Sequence, residues 1–171
     1  MPTIGVAVAI PDPWGRQLRD YRLSLGDEKA TMIPTHITLV PPTEVSPDDL
    51  APIEAHLVAA AASQPAYQIH LRGTGTFRPV SPVVFVSLVE GISQTEQLAA
   101  AVRKGPLAME LGFPFHPHVT IAHHLDDSSL DLAFNDLATF ECVFRADEFH
   151  LYRHDDETGW APDVDFKLGG F

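Results

Sequence analysis

Two His-x-Thr motifs are the residues of this chain whose types and spacing suggest chemistry. His36 and Thr38 form the first motif, and His118 and Thr120 form the second, 82 residues further along. In a β-strand, residues i and i+2 project to the same face. Each motif therefore places one imidazole and one hydroxyl on the same face of its strand and leaves the aliphatic neighbours on the other face.

Two imidazoles and two hydroxyls suffice for acid–base hydrolysis of a phosphodiester. An imidazole has an unperturbed pKa of about 6.5, so one histidine is neutral and the other protonated at little cost near neutral pH. The neutral one takes a proton from water, and the protonated one gives a proton to the departing ribose oxygen. Thr38 and Thr120 would hydrogen-bond the nonbridging oxygens. This chemistry needs no metal and no cofactor, and the sequence leaves open which histidine is the base.

A single His-x-Thr match is a weak signal, so the flanking residues matter. Both motifs are followed by an aliphatic residue, and both come shortly after a proline, Pro34 in one case and Pro117 in the other. Both also lie in short apolar runs that are typical of strands.

The elements that must position the motifs follow from hydrophobic periodicity and from the turn residues. The pattern predicts strands at 3–10, 35–40, 67–71, 83–89, 118–122, 139–152 and 160–168, and helices at 14–25, 47–62, 93–104 and 128–137. Pro41 and Pro42 should end the first motif strand, and the glycine-rich segment 73–78 should form a hairpin turn. Each half of the chain thus surrounds one His-x-Thr strand with strands and helices, which suggests two similar lobes.

Composition limits the kind of protein this is. The chain has 171 residues and 45% hydrophobic residues, which is consistent with one globular domain over 1–171, expected to be monomeric. No run approaches the roughly 18 apolar residues that cross a bilayer, so we expect no membrane association. The only cysteine, Cys142, cannot form an internal disulfide, which favours a reducing cytoplasm and a packing role for its thiol.

The formal net charge of −12 argues against general binding of long RNA or DNA. Nonspecific affinity for nucleic acid comes from many lysines and arginines that neutralise phosphates. Any nucleic-acid ligand should therefore be small or be held by one end. Arg16, Arg19 and Arg22 are possible phosphate contacts, although a solvated helix face explains them equally well.

The segments 34–42 (PTHITLVPP) and 115–122 (FHPHVTIA) resemble the two signature motifs of the two-histidine phosphoesterase superfamily in order and spacing. That superfamily includes bacterial RNA 2′,3′-cyclic phosphodiesterases, also called 2′-5′ RNA ligases. The resemblance spans nearly the whole chain, because the order of strands and helices and the final segment 166–169 are also similar.

This resemblance implies an α+β fold of two lobes, related by a pseudo-twofold axis, with antiparallel sheets and flanking helices around a central cleft. It further implies that His36 and His118 are catalytic and that Thr38 and Thr120 bind the phosphate. The substrate would be a small nucleotide or an RNA end that carries a 2′,3′-cyclic phosphate or a 2′-5′ linkage.

The chain departs from the superfamily pattern at two places. Many members that act on RNA have an arginine five residues after the second histidine, where this chain has His123. The first motif also continues into Pro41 and Pro42 instead of an aromatic-Leu-Gly sequence. The missing arginine argues against long RNA as a substrate.

Several aromatic and basic side chains are further candidates for contact with the substrate. The candidate contacts are Phe77, Phe115, Tyr152 and Trp160, which could stack on a base, together with His123 and Arg153. One alternative is a noncatalytic module that binds a nucleotide or an RNA end. The other is a metal-binding protein that uses His116, His118, His123 and His124, but strand periodicity would place His123 on the face opposite His116 and His118.

Overall fold

One antiparallel sheet organises the structure, a computed structural model that describes residues 1–169. Every neighbouring pair of its eight strands runs antiparallel. The strands are β1 (Thr3–Ala9), β2 (His36–Glu44), β3 (Tyr67–Thr76), β4 (Val83–Glu90), β5 (His118–His123), β6 (Glu141–Ala146), β7 (Glu148–Asp155) and β8 (Gly159–Lys167).

Four α-helices within residues 1–169 connect these strands. They are α1 (Trp14–Ser24), α2 (Leu50–Ala62), α3 (Ile92–Val102) and α4 (Asp127–Asp136). Short 3-10 helices, Glu28–Thr31 among them, join α1 to β2 and lead into α2. Across the described part of the chain, no helix combines the length and the apolar character that crossing a bilayer requires.

The strand order is β6-β3-β4-β5-β2-β1-β7-β8, which places the two motif strands side by side at the centre. The succession β1-α1-β2-α2 in the first half matches β4-α3-β5-α4 in the second half. Two four-stranded halves therefore meet at the β2–β5 junction, and the predicted fold of two pseudo-symmetric lobes is confirmed.

The sheet is strongly curved. Only Asp147 separates β6 from β7, yet β6 lies at one edge of the sheet and β7 is the seventh strand in the order. One residue spans at most about 3.6 Å. The two ends of the sheet must therefore curl toward each other, and the chain passes from one half to the other at Asp147.

A single hydrophobic cluster lies between the sheet and the helices. Leu18 of α1 and Leu98 of α3 are fully buried in it, together with Ile37 and Val119 of the motif strands. Replacing a leucine such as Leu18 by alanine would leave a cavity that costs about 2–5 kcal/mol of the free energy of unfolding. Because the helices cover this face of the sheet, the opposite face is the one that carries the histidines and threonines.

Three predicted strand boundaries are wrong. The first error is the end of β2, which continues through Pro41 and Pro42 to Glu44. Both prolines lie in an irregular part of the β1–β2 ladder, between the Val40↔Val6 and Thr43↔Ile4 pairs. No backbone N–H is needed there, so proline is tolerated.

The other two errors concern β3 and the predicted strand 139–152. The segment 73–76 belongs to β3 and not to a turn, so the chain reverses only after Thr76. The predicted strand 139–152 is two strands, since β6 pairs with β3 while β7 pairs with β1 and β8.

Candidate active site

The register between β2 and β5 brings the two motifs together. Ile37 pairs with Val119, and both side chains are fully buried on the helix side of the sheet. Extending this antiparallel register by one residue in each direction sets His36 across from Thr120 and Thr38 across from His118. Directly opposed residues on one face have Cβ atoms about 4.5–5.5 Å apart. The four polar side chains thus form one compact quartet on the face opposite the core.

Both imidazoles are oriented by the same local hydrogen bond. The Nδ1 atom of His36 lies 2.6 Å from the carbonyl oxygen of Pro34, and that of His118 lies 2.6 Å from the carbonyl oxygen of His116. A carbonyl oxygen only accepts, so each Nδ1 carries the proton and donates it. Each Nε2 then points away from its own backbone, and it accepts a proton in the neutral ring or donates one in the charged ring.

The surroundings favour the neutral form of both histidines. Burial lowers the pKa of His36, the carbonyl of Pro34 opposes that shift, and the positive charges of Arg22 and His118 lower the pKa further. Burial also lowers the pKa of His118, with a smaller lowering from His116 and an opposing effect of the His116 carbonyl. The effect of His118 on the pKa of His36 agrees with the closeness of the two rings across the junction. In the free protein both are therefore poised as proton acceptors.

A β-bulge follows each motif at the equivalent place. In the first half, Thr38 pairs with Ala7 but Val40 pairs with Val6, so Leu39 is the extra residue. In the second half, Thr120 pairs with Phe85 but Ala122 pairs with Val84, so Ile121 is the extra residue. A bulge inserts one residue and reverses the alternation of faces beyond it.

The second bulge changes the orientation of His123. His123 pairs with Val83, two residues from Phe85 along β4, and therefore shares the face of Thr120 and His118. The strand-period prediction that His123 lies on the opposite face is wrong, because that prediction assumed unbroken alternation.

A pocket opens beside His36. Its lining consists of Gly5, Val6, Ala7, Ile33, Pro34, His36, Thr38, Val40, Pro42, Tyr152 and Trp160. Small residues on β1 create the space, since Gly5 has no side chain and a Cβ there would already lie 3.4 Å from the Trp160 ring. Tyr152 adds a hydroxyl that has no hydrogen-bond partner in residues 1–169 and is not sealed from solvent. Burial raises the pKa of Tyr152 to about 12, so the hydroxyl stays a neutral donor.

The matching space beside His118 is filled. Phe85 occupies the position on β4 that Ala7 occupies on β1, and its ring centroid lies 5.3 Å from that of His118. The Phe77 ring approaches His118 edge-on at 4.9 Å and packs on Phe85 at 4.6 Å. The site is therefore symmetric in its polar quartet and asymmetric in its walls, with an open pocket on the His36 side only.

The structure distributes the other predicted contacts unevenly. Tyr152 lines the pocket, and Phe77 forms part of the aromatic wall at His118. Phe115 lies under the Arg103 guanidinium at 4.7 Å, and Arg153 is exposed and paired with Asp163 at 2.9 Å. The substrate roles of these residues remain predictions.

Sequence reasoning did not identify Gly5, Ala7 or Phe85. The signal for the first two was present, because small residues alternate at positions 5, 7 and 9 of a strand that is otherwise aliphatic. Small residues repeated at i and i+2 leave one face of a strand without side chains.

The histidines do not form a metal-binding set. Among residues 1–169, no group of three or more histidine, cysteine, aspartate or glutamate side chains converges as ligands. The rings of His116 and His118 have centroids 6.0 Å apart, and the Nδ1 atoms of His118 and His36 are already engaged with carbonyls. The hypothesis of a histidine-based metal protein therefore lacks a ligand set in this part of the chain.

Two bacterial proteins are similar to this chain in sequence. A protein of Bacillus cytotoxicus named as a candidate phosphoesterase is 31% identical over 146 residues, and the match covers 84% of each chain. A candidate phosphoesterase of Bacillus licheniformis is 30% identical over 148 residues, which covers 84% of this chain and 85% of the relative.

Solved structures of Escherichia coli LigT have the same fold. LigT with bound 3′-AMP gives a TM-score of 0.67 at 21% identity, covering 98% of this chain and 99% of LigT. LigT with NADP+ gives a TM-score of 0.70 at 19% identity, covering 98% of this chain and 97% of LigT.

Residues 10–158 match the family model of the 2′-5′ RNA ligase superfamily. With its paired His-x-Thr strands and this match over most of its length, the chain belongs to the 2′-5′ RNA ligase superfamily of two-histidine phosphoesterases.

Proposed function

We propose that this protein hydrolyses the 2′,3′-cyclic phosphate of a small nucleotide or of an RNA end, without a metal, by acid–base catalysis between His36 and His118. The observation that carries the proposal is the matched orientation of the two rings. Each Nδ1 is held by a carbonyl 2.6 Å away, which leaves both Nε2 atoms for proton transfer beside a pair of threonine hydroxyls.

The reaction requires one neutral and one protonated imidazole. The neutral Nε2 takes a proton from water while the water oxygen forms a bond to phosphorus. The bond between phosphorus and one ribose oxygen breaks, and the protonated Nε2 gives its proton to that oxygen. The hydroxyls of Thr38 and Thr120 donate hydrogen bonds to the nonbridging oxygens, whose negative charge grows in the transition state. The bound anion itself favours protonation of one ring, which offsets the lowered pKa values of the free protein.

The asymmetric walls favour one direction of binding. The pocket beside His36 offers an apolar floor and two aromatic side chains, Tyr152 and Trp160, for a nucleobase. Phe77 and Phe85 close the His118 side against such a group. With the nucleoside on the His36 side, the leaving ribose oxygen faces His36, which is then the acid. Water approaches in line from the other side, where His118 is the base.

The similar proteins support a small nucleotide as the ligand class. LigT has been captured with 3′-AMP, with NADP+ and with ATP, so it binds small nucleotides. A formal net charge of −12 also disfavours long RNA in our protein. A linear 2′-5′ linkage presents the same reacting groups and is a second substrate to test.

A noncatalytic binding module is the alternative. Such a module would need donors for the phosphate but no pair of imidazoles with both Nε2 atoms unengaged. Both histidines and both threonines are retained in matched geometry, which favours turnover over binding alone.

The test is hydrolysis of cyclic mononucleotides, 2′-5′ dinucleotides and oligonucleotides ending in a cyclic phosphate, followed by ³¹P NMR with a chelator present. We expect turnover by the native protein and its loss in His36→Ala and His118→Ala. His70→Ala is the matched control, because His70 lies on β3 and pairs with Glu141. Binding without turnover would support the module instead. Activity that disappears with the chelator and returns with a divalent ion would contradict the mechanism.

A further inference from the structure

A second pocket, with a polar lining, lies where β5 ends, beyond the His-Thr quartet. Its lining includes Arg22, Asp27, Glu28, Lys29, His123 and His124. Nothing in the proposed chemistry uses these residues. Their arrangement nevertheless has the features of a site that binds an anion.

Arg22 is the central feature of this pocket. Its side chain is only 9% exposed, and its Nε and Nη2 atoms both donate to Oδ2 of Asp27, at 3.0 and 2.7 Å. The other carboxylate oxygen of Asp27 accepts from the backbone N–H of Lys29. Asp27 therefore fixes the plane of the guanidinium and has no oxygen left unengaged. The Nη1 atom of Arg22 makes no hydrogen bond within residues 1–169 and is not sealed from solvent.

The other side-chain donors in the lining of this pocket have no partners within residues 1–169. Neither the Lys29 ammonium nor the rings of His123 and His124 form a hydrogen bond or an ion pair in the described part of the chain. Glu28 is the only carboxylate in the lining besides Asp27. The pocket thus contains an arginine that is held by one carboxylate, together with a lysine and two histidines. All four side chains can donate hydrogen bonds to an anion that enters the pocket.

The backbone is shaped to present both histidines. The bulge at Ile121 turns His123 to the face of the quartet. His124 has φ of 55°, and no other non-glycine residue among residues 1–169 has a positive φ. This conformation is uncommon for a residue with a side chain, and such residues concentrate at functional sites. It stacks the two imidazoles with their centroids 3.7 Å apart.

The pocket also lies close to the catalytic histidine of the first motif. The charge of Arg22 lowers the pKa of His36 and that of His123, so the guanidinium is within electrostatic reach of both rings. Lys29 and His124 lower the pKa of His123 as well, while Asp27 opposes this effect. His36 thus lines the apolar pocket on the β1 side and is within electrostatic reach of Arg22 in the polar pocket.

We propose that Arg22, Lys29, His123 and His124 form a second anion subsite, which holds a terminal phosphate monoester of the substrate while the quartet holds the cyclic phosphodiester. This inference rests on the proposed function and narrows it. The preferred substrate would be a nucleotide with two phosphate groups, such as a nucleoside 2′,3′-cyclic phosphate that also carries a 5′-phosphate. The nucleobase would occupy the pocket of Gly5 and Trp160, and the 5′-phosphate would extend to Arg22.

Paired substrates test the subsite. kcat/KM is measured for a nucleoside 2′,3′-cyclic monophosphate and for the same compound with a 5′-phosphate. We expect the 5′-phosphorylated compound to be preferred by about tenfold or more, the effect of one or two charge-assisted hydrogen bonds. Arg22→Gln alone would leave Asp27 buried without a partner and could unfold the protein. The double variant Arg22→Gln/Asp27→Asn removes both charges together, and Lys29→Ala avoids the buried pair altogether.

Both variants should reduce the preference ratio toward one. Arg72→Gln is the matched control, since Arg72 is exposed, pairs with Glu141 and does not line the pocket, and it should leave the ratio unchanged. An unchanged ratio in the double variant and in Lys29→Ala would overturn the subsite. An equal loss of kcat/KM for both substrates would also overturn the subsite, because it would mean that these residues act on the reacting phosphate or stabilise the fold.

Binding of inorganic phosphate gives a readout that needs no turnover. The imidazole C2–H resonances of His123 and His124 should shift when phosphate is added, and the pKa of His123 should rise because the anion offsets the neighbouring positive charges. These shifts should be lost in the double variant. If phosphate binds in this way but no cyclic nucleotide is hydrolysed, the proposed function fails and the subsite stands. If cyclic nucleotides are hydrolysed but neither histidine responds to phosphate, the subsite fails and the function stands.

Discussion

At the scale of single residues, the proposed mechanism makes activity depend on the protonation of His36 and His118. Burial lowers the pKa of both rings in the free protein. Because kcat/KM reports the free enzyme, its bell-shaped pH profile should have its maximum below the ordinary imidazole pKa of about 6.5. The anionic substrate raises the pKa of the bound pair, so the profile of kcat should lie at higher pH. Both apparent pKa values belong to the coupled pair. Measuring the two profiles from pH 5 to 9 with one cyclic nucleotide tests this, and a kcat/KM maximum above pH 7.5 would contradict it.

The four residues of the quartet should differ in their contributions. His36→Ala or His118→Ala removes a proton transfer, which is worth roughly 10²- to 10⁴-fold in rate. Thr38→Val or Thr120→Val removes one hydrogen bond to a charged group, about 1.5–3 kcal/mol, and should therefore cost less. Steady-state kinetics of the four variants gives the order, with thermal melting to verify the fold. A threonine variant that loses as much activity as the histidine variants would mean that the hydroxyl does more than bind the phosphate.

At the scale of elements, the motif strands were predictable and their distortions were not. The period of two places His36 with Thr38 and His118 with Thr120 from the sequence alone. The bulge at Ile121 depends on how β4 pairs with β5, which is a contact between distant parts of the chain, and no residue type near Ile121 signals it. The predicted orientation of the His123 side chain was wrong for this reason. The division of 139–152 at Asp147 likewise depends on β6 and β7 having different partners.

The pocket on β1 should set the specificity for the nucleoside. Ala7 and Phe85 occupy equivalent positions in the two halves, and only the small one leaves space. Ala7→Phe should fill the pocket and raise KM for cyclic nucleotides by tenfold or more, because the base loses its apolar contact. A ribose 2′,3′-cyclic phosphate without a base should be affected much less. Ala7→Val adds less volume and serves as the control for overpacking. Overpacking costs about 1–3 kcal/mol of stability in a tight site. Equal effects on the substrates with and without a base would exclude the pocket as the nucleoside site.

At the scale of the whole molecule, net charge should limit the size of the nucleic acid that binds. The formal net charge is −12, with 11 lysines and arginines against 23 aspartates and glutamates. Few of the cations are available to release counterions from a long phosphate backbone, so binding of unstructured RNA should be weak and should change little with salt. Fluorescence anisotropy of a labelled single strand at increasing salt measures this. Tight binding with a steep salt dependence would mean that the positive residues around Arg22 act as a groove for long RNA.

Stability of the whole fold should also depend on the histidines of the site. The pKa values of His36, His118 and His123 are all lowered, whereas in the unfolded chain an imidazole titrates at about 6.5. Below that pH the unfolded chain binds more protons than the folded protein. The free energy of unfolding is therefore highest above pH 6.5 and decreases as pH falls from 6.5 toward the folded pKa values. Urea unfolding at several pH values from about 5 to 8 measures the slope, in a window that lies above most carboxylate titrations.

The double variant His36→Gln/His118→Gln isolates the part of this slope that comes from the active site. Glutamine keeps a polar side chain but does not titrate, so two of the three contributing protonations disappear and the dependence on pH should become shallower. His70→Gln provides the comparison, since this histidine lies on β3, beside Glu141, and outside the quartet. If the double variant and the native protein lost stability in parallel between pH 7 and 5, then the site histidines would be protonated as easily in the folded protein as in the unfolded chain. Burial would then not be holding them neutral, and the acidic maximum expected for kcat/KM would lose its physical basis.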